Sequence, residues 1–449
     1  MKDKVFYKNL WQIAIPIALQ SIISTSLNIV DSFMVGALNG EALSAVGIAN
    51  QYYYIFILMV FGLCSGIAVF TAQYYGKRDS HSIREMFKLT LINGGFISLI
   101  FAIIAWFWPQ GIVFIFTHDQ AVSHLALDYF KIIAWSYVIT SISFAYTTTY
   151  KNMGNTKIGL YAGTISLIVN TLLNYFLIFG NLGFPKLGVA GAAWATLIAR
   201  TIEVLILIYY TERHEPLLTL RARDFSLKAL KFSFELSKTV YKVALPVIFN
   251  ESIWALGISV YLIIYSKVGV IAIGIINICG AIQNLFMVAT KAVANASGVM
   301  IGNKLGEGNL SEAQAYADRF MRLGVWVSGI SAGILLIFAP NIVSFYNIQV
   351  AAKLETVATL RVYSLFLIVK TVNIIMMTGI FRSGGMTKFA LYLDAGTVWL
   401  IGIPLGFLLV NHFDMQLHQL VFWISLEELV KCIIGYGKTR HQKWIHHLV

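Results

Sequence analysis

Asp31 lies in the stretch SLNIVDSFMVGAL (residues 26–38), at the far end of an uncharged run, LWQIAIPIALQSIISTSLNIV. A carboxylate can take up and release a proton or a metal ion, and in an apolar segment it costs about 2.5–3.5 kcal/mol even on insertion scales. Asn170 and Asn174 stand at i and i+4 on one helical face, where their amides can hold such a group. Asn28 precedes Asp31 by three residues, and Thr196 offers a hydroxyl from a later segment. A second set is Glu251 in PVIFNESIW, Lys370 in FLIVKTVN and Lys291. Opposite charges in apolar segments tend to pair. Glu251 and Lys370 are therefore expected to bridge helices, or to gate the protein and recognise its substrate.

The segments that carry these residues define the solvent. Of 449 residues, 58% are hydrophobic and 12% charged, and the mean hydropathy is +0.74. A soluble protein has about 25% charged residues. Twelve apolar spans are expected, at 10–37, 44–75, 89–108, 126–150, 158–180, 188–211, 241–266, 272–303, 323–339, 357–381, 389–411 and 416–437. The fold class is thus all-α and polytopic. The first span is too long for the apolar core of a signal peptide and no small-residue cleavage site follows it. Cys64, Cys279 and Cys432 are far apart inside apolar runs, as reduced packing residues would be.

Lysine and arginine sort by loop. The N-terminus, the even-numbered loops and the tail hold twenty-four, while Lys186, Lys267 and Lys353 are the three on the other side. This asymmetry places both termini in the cytoplasm. The net charge of +12 is accordingly a topology signal, with anionic lipid headgroups rather than nucleic acid as the partner.

The chain repeats itself. PIALQSIISTSLNIVD sets Pro16 against Pro246 of PVIFNESIWALGISVY, and AQYYGKRDS falls on GNKLGEGNL, pairing Gly76 with Gly306. After one insertion YKNMGNTK (150–157) falls on FRSGGMTK (381–388), and Tyr161 on Tyr392. The organisation expected is an N-terminal lobe (1–211), a basic cytoplasmic linker (212–240) able to lie on the membrane surface, and a C-terminal lobe (241–449). Pro16 and Pro246 each leave a carbonyl without its helix bond, giving a kink or a hinge. Asp31, Asn170 and Asn174 have Tyr261, Ile401 and Leu405 as repeat partners, so only the first half carries the polar cluster.

NIVDSFMVGALNGEALSAVGIA, SGIAVFTAQYYGKRD, ASGVMIGNKLGEGN, YKNMGNTK, FRSGGMTK and GVAGAAWATLIAR, in that duplicated arrangement, resemble the MATE (multidrug and toxic compound extrusion) transporters from about residue 8 to 437. The resemblance implies twelve helices in two six-helix lobes and cation-driven antiport of organic, cationic or amphipathic compounds across a bacterial plasma membrane by a functional monomer. It also implies that Asp31, as the first-helix aspartate, carries the coupling cation. Many relatives have a second aspartate where this chain has Asn174. One charge instead of two favours H+, although the oxygens of Asp31, Asn170 and Asn174 can still ligate Na+. Some relatives have an acidic residue in the tenth helix, where this chain has Lys370, Thr371 and Asn373, a departure that argues against a strictly cationic substrate.

Helical rise supports the grouping. Asp31 lies about 30 Å along the first helix, Asn170 and Asn174 about 20 and 25 Å up the fifth, and Thr196 about 12 Å below the outer surface. Glu251, Lys370 and Lys291 lie about 15, 16 and 20 Å above the inner one. Asp394, about 8 Å along its helix, is expected to be wetted and structural. Arg200, Glu203, Glu427 and Glu428 are expected as interfacial or interlobe contacts. Tyr53, Trp254, Tyr261, Phe286 and Met287 are candidates for an adaptable cavity lining.

No Walker motif, HExxH or Cys/His spacing is present, so neither direct ATP drive nor an enzyme nor a resident metal or cofactor is expected beyond the transmembrane H+ or Na+ gradient. His118, His124, His412 and His418 fall in outer loops and His441, His446 and His447 in the tail, without metal-site spacing. A flippase for a lipid-linked saccharide, favoured by Lys291 and Lys370, and a channel are the alternatives. The orientation is testable directly. Cysteines introduced at Gly40 and Asp414 should react with an impermeant thiol reagent from outside intact cells, and one at Ser226 should not. Labelling of Ser226 from outside would invert the topology.

Overall fold

The computed structural model describes residues 2–220, 224, 227–440, 442, 444–445 and 448–449, without the side chains of residues 2–3, 227–235 and 270. Arg221, Arg223, Ser226, His441, Lys443, His446 and His447 lie outside the described residues, as do the side chains of Lys2, Lys228 and Lys231.

All regular structure among the described residues is helical: α1 (Lys2–Gly36), α2 (Gly40–Lys77), α3 (Ser80–Phe107), a short α4 (Pro109–Phe116), α5 (Gln120–Asn152), α6 (Lys157–Phe179), α7 (Val189–His214), α8 (Leu227–Ser266), α9 (Val270–Gly306), α10 (Leu310–Ser344), α11 (Val350–Ile374), α12 (Thr387–Thr397), α13 (Ile403–His412) and α14 (Leu417–Arg440). π-helical turns at Ile375–Phe381 and Val398–Gly402 extend α11 and join α12 to α13. Eleven described helices, counting α12–α13 as one, are long and apolar enough to cross a membrane. The twelfth expected span, α14, forms as a helix but misses that composition because Glu427, Glu428 and Lys431 interrupt it. The second half of the expected linker is helical. Its backbone is the first part of the 40-residue α8.

Two compact units emerge. One comprises residues 1–14, 72–77 and 249–449, and the other residues 15–71 and 78–248. The boundaries cut through α1, α2 and α8 rather than through loops. Phe6, at the start of α1, accordingly packs edge-on against Tyr316 and Phe320 of α10. The unit that holds Asp31 is centred on α3, α5, α6 and α7, with Phe56 and Tyr137 stacked in its core. The other is built from α9, α10, α11 and α14.

The duplication is visible in local structure. Asp79 caps α3 by accepting from the Ser82 amide at 3.1 Å, and its repeat partner Asn309 caps α10 by accepting from Glu312 at 3.2 Å. Gly154 and Gly385, equivalent in the two repeats, both adopt left-handed φ angles, 80° and 75°.

The closest backbone approach involves the repeat-paired glycines of α2 and α9. A Cβ on Gly76 would lie 1.9 Å from the Asn303 carbonyl oxygen, and one on Gly306 only 1.8 Å from that of Gln73. Each helix therefore crosses the other where the other has no side chain. Gly76→Ala and Gly306→Ala should each destabilise the protein by about 1–3 kcal/mol through overpacking. The check is a lower melting temperature in detergent, with Gly163→Ala as control because nothing lies within 4 Å of its added methyl. Unchanged melting of both glycine variants would contradict the crossing.

Candidate functional site

The α6–α7 contact carries a stripe of small and polar residues at four-residue spacing: Ala162, Ser166, Asn170 and Asn174, all buried. Small side chains let the helices approach, and polar ones must then find partners across the gap. Ser166 donates to the Ala199 carbonyl at 3.2 Å, and Asn170 donates to Thr196 Oγ1 at 3.3 Å. Asn174 donates to Asn170 Oδ1 at 3.2 Å and to Asp31 Oδ1 at 2.5 Å. A chain of bonds thus runs from α7 through α6 to the α1 carboxylate. Asn170 and Asn174 are fully buried, and Asp31 is half-buried. The Asn174 Oδ1 atom is buried and accepts no bond among the described residues.

Four of the five residues expected at this site meet there. Asn28 does not. Three residues make nearly one turn but leave its side chain rotated off the face of Asp31, and it is exposed. Arg200 and Glu203, expected as interfacial or interlobe contacts, meet each other inside this unit. They pair at 2.8 Å within α7, and buried Glu203 also accepts from Ser143 Oγ of the same unit at 2.5 Å. Arg200 follows Thr196 by one turn of α7, so a cation absent from the expected set stands on the same helical face as Thr196.

In the other unit Glu251 pairs with Arg382, Nη2 to Oε1, at 2.5 Å and not with Lys370. Rise along a helix fixes depth but not azimuth, and Arg382 falls at the end of an apolar span, where its sequence position resembles that of a loop charge. It is buried, at the end of the π turn Ile375–Phe381. Lys370 lies over the Tyr363 ring at 5.3 Å, and Lys291 is exposed. Asp394 is half-buried rather than simply wetted, because Lys431 pairs with it at 2.7 Å and Asn250 donates to it at 3.1 Å. Lys431 also reaches Glu428 at 3.5 Å, and Asn373 donates to the Glu428 carboxylate at 2.7 Å. Sequence reasoning missed Lys431. The signal was there: three charges at i, i+1 and i+4 inside the last apolar span.

The aromatic assignments divide. Tyr261 and Met287 are core residues, with 6% and 7% exposure. Trp254 is exposed, while Tyr53 and Phe286 are partly buried and packed against the cores of their units. Among the described residues no group of His, Cys, Asp and Glu is arranged to hold a metal ion.

The comparisons agree with this architecture. The family model of MatE matches residues 16–176 and 246–408. The chain is similar to the crystal structure of a MATE protein in complex with MaL6, at 20% identity and a TM-score of 0.84 over 97% of this chain and 96% of that one. A MOP superfamily transporter from Pyrococcus furiosus, whose binding pocket is described as having reverse polarity, matches at 20% identity and TM-score 0.83, covering 97% and 95%. An outward-facing multidrug resistance MATE family transporter of the MOP superfamily matches at 19% and 0.80, covering 97% and 95%.

Breaking a buried ion pair by removing one partner costs about 3–5 kcal/mol. Glu251→Gln and Arg382→Gln should therefore each lower stability sharply, and the double variant should lose much less than their sum. Glu251→Gln combined with Lys370→Gln should be additive in thermal melting. Coupling of Glu251 to Lys370 instead would restore the pairing expected from depth alone.

Proposed function

Because this chain belongs to the MATE family of membrane transporters, we propose that it is a secondary active antiporter that exports organic, cationic or amphipathic compounds in exchange for H+. The observation that carries this reading is the chain of bonds ending on Asp31 Oδ1 in the unit built from α3, α5, α6 and α7. A buried amide that donates to a carboxylate stabilises its ionised form, whereas burial favours its neutral form. A proton changes the balance, and a cationic substrate or a conformational change can tip it back. In alternating access, Asp31 would take a proton on the outer side and give it up on the inner side as substrate moves the other way.

The donor arrangement supports H+ over Na+. The Asn174 NH2 group faces Asp31 and Asn170, and a metal ion beside the carboxylate would have to displace it. The buried Asn174 Oδ1 accepts no bond among the described residues, and that amide would have to turn over to present its oxygen rather than its NH2 group to an ion beside Asp31. Both termini are proposed to lie on the cytoplasmic side of a bacterial plasma membrane, with anionic lipids against the basic loops.

Exposed Lys291 supports a second reading, export of a lipid with an anionic headgroup. Proteoliposomes separate the readings: an antiporter needs an opposing ion gradient, a flippase moves lipid, and a channel conducts without exchange. With an imposed pH gradient, wild-type protein should accumulate an organic cation and Asp31→Asn should lose at least 90% of that uphill uptake while still binding the compound, because an amide matches the carboxyl in size but cannot change charge. Asn174→Asp should add a response to Na+. An Asp31→Asn protein that pumps as well as wild type would refute the coupling role.

A further inference from the structure

The offset of 231 that pairs Tyr161 with Tyr392 also pairs Thr196 with Glu427 and Arg200 with Lys431, and Asp31 has Tyr261 as its repeat partner. The second half therefore has an acid at the position equivalent to Thr196 and a phenol at that of Asp31. The structure brings the two together. A Cβ on Gly402, at the end of the π turn Val398–Gly402, would lie 1.9 Å from Tyr261 Oη and 2.7 Å from Glu427 Oε2. Both oxygens thus converge on one backbone position that only glycine leaves open.

Glu427 and Tyr261 are 5% and 6% exposed, and neither Oε2 nor Oη completes a well-formed hydrogen bond among the described residues. A buried polar atom without a partner is costly and calls for an explanation. Among the described residues, the charged and titratable groups within electrostatic reach of Glu427 include Tyr261 and Tyr265 on α8, Lys370 on α11, and Glu428 and Lys431 on its own helix. Lys431 is already shared between Asp394 and Glu428. An ionised Glu427 would be the third carboxylate around one ammonium. Lys370 lies over Tyr363, and among the described residues it forms no ion pair with Glu427. The π turn is also the kind of helix distortion that recurs at functional sites.

We propose that Glu427, facing Tyr261, is a second proton-binding site, placed in the C-terminal unit where the repeat puts the counterpart of the Asp31 cluster. A proton from solvent adds to the Glu427 carboxylate, forming one O–H bond, and the acid then donates to Tyr261 Oη; release reverses both events. A metal ion fits less well, since Lys431 stands beside the site and Tyr261 is a weak ligand. The proposal does not depend on Asp31 carrying the coupling ion.

The test is infrared pH-difference spectroscopy of purified protein in the region of the protonated carboxyl stretch. Wild type should show a band that Glu427→Gln loses and Asp31→Asn retains, and Tyr261→Phe should shift it to higher wavenumber as the acid loses its acceptor. A Glu427→Gln spectrum identical to wild type would overturn the site. Should Glu427→Gln not fold, the Tyr261→Phe spectrum decides, and an unshifted band there would equally overturn it. Failure of Asp31→Asn to abolish uphill transport would leave this result unaffected, so the two readings fail separately.

Discussion

A carboxylate in an apolar helix must draw its hydrogen bonds from the protein, because the bilayer offers none. Asp31 meets that requirement through the Asn174 amide, which is itself held by Asn170 and, through it, Thr196. The stripe of small residues on α6 brings α7 close enough for this, and the cap on α3 and the stacked aromatics of the core fix the surrounding helices. A site supported by one chain of bonds is also a site that can change. Removing the charge of Asp31 removes the reason for the Asn174 contact, so protonation and side-chain arrangement are coupled by construction.

The two halves of the sequence solved the same constraint differently. The first places its acid on α1 and surrounds it with neutral amides. The second has Tyr261 in that place and carries Glu427, Glu428, Lys431 and Asp394, of which Glu428, Lys431 and Asp394 are met by ion pairing and by Asn250 and Asn373. Glu251 and Arg382 form a further pair nearby in sequence to that network, on α8 and beyond the π turn after α11. Amides suit a group that must exchange its cation, whereas a fixed ion pair suits packing. The contrast supports assigning coupling to the Asp31 cluster while leaving the second half chemically active.

Much of this was legible in the chain. Apolar length gave the helices, the loop charges gave an orientation to test, and the duplication paired Gly76 with Gly306, although their close crossing shows only in the packing. Asn170 and Asn174 were legible because four-residue spacing fixes a face as well as a depth. Where only depth was available the outcome was different. Glu251 and Lys370 stand at the same height yet meet different partners, and Asn28, close to Asp31 in height, is exposed. Neither the π turns nor the passage of α1, α2 and α8 between compact units has a sequence signal, since both depend on how neighbouring helices pack.

The most direct measurement of the central claim is the number of protons released when an organic cation binds to purified protein in weakly buffered solution. Wild type should release protons in proportion to the substrate bound, and Asp31→Asn should bind substrate without release. Equal release by the two proteins would contradict the account, because the exchanging acid would then lie elsewhere than at the end of the Asn170–Asn174 chain.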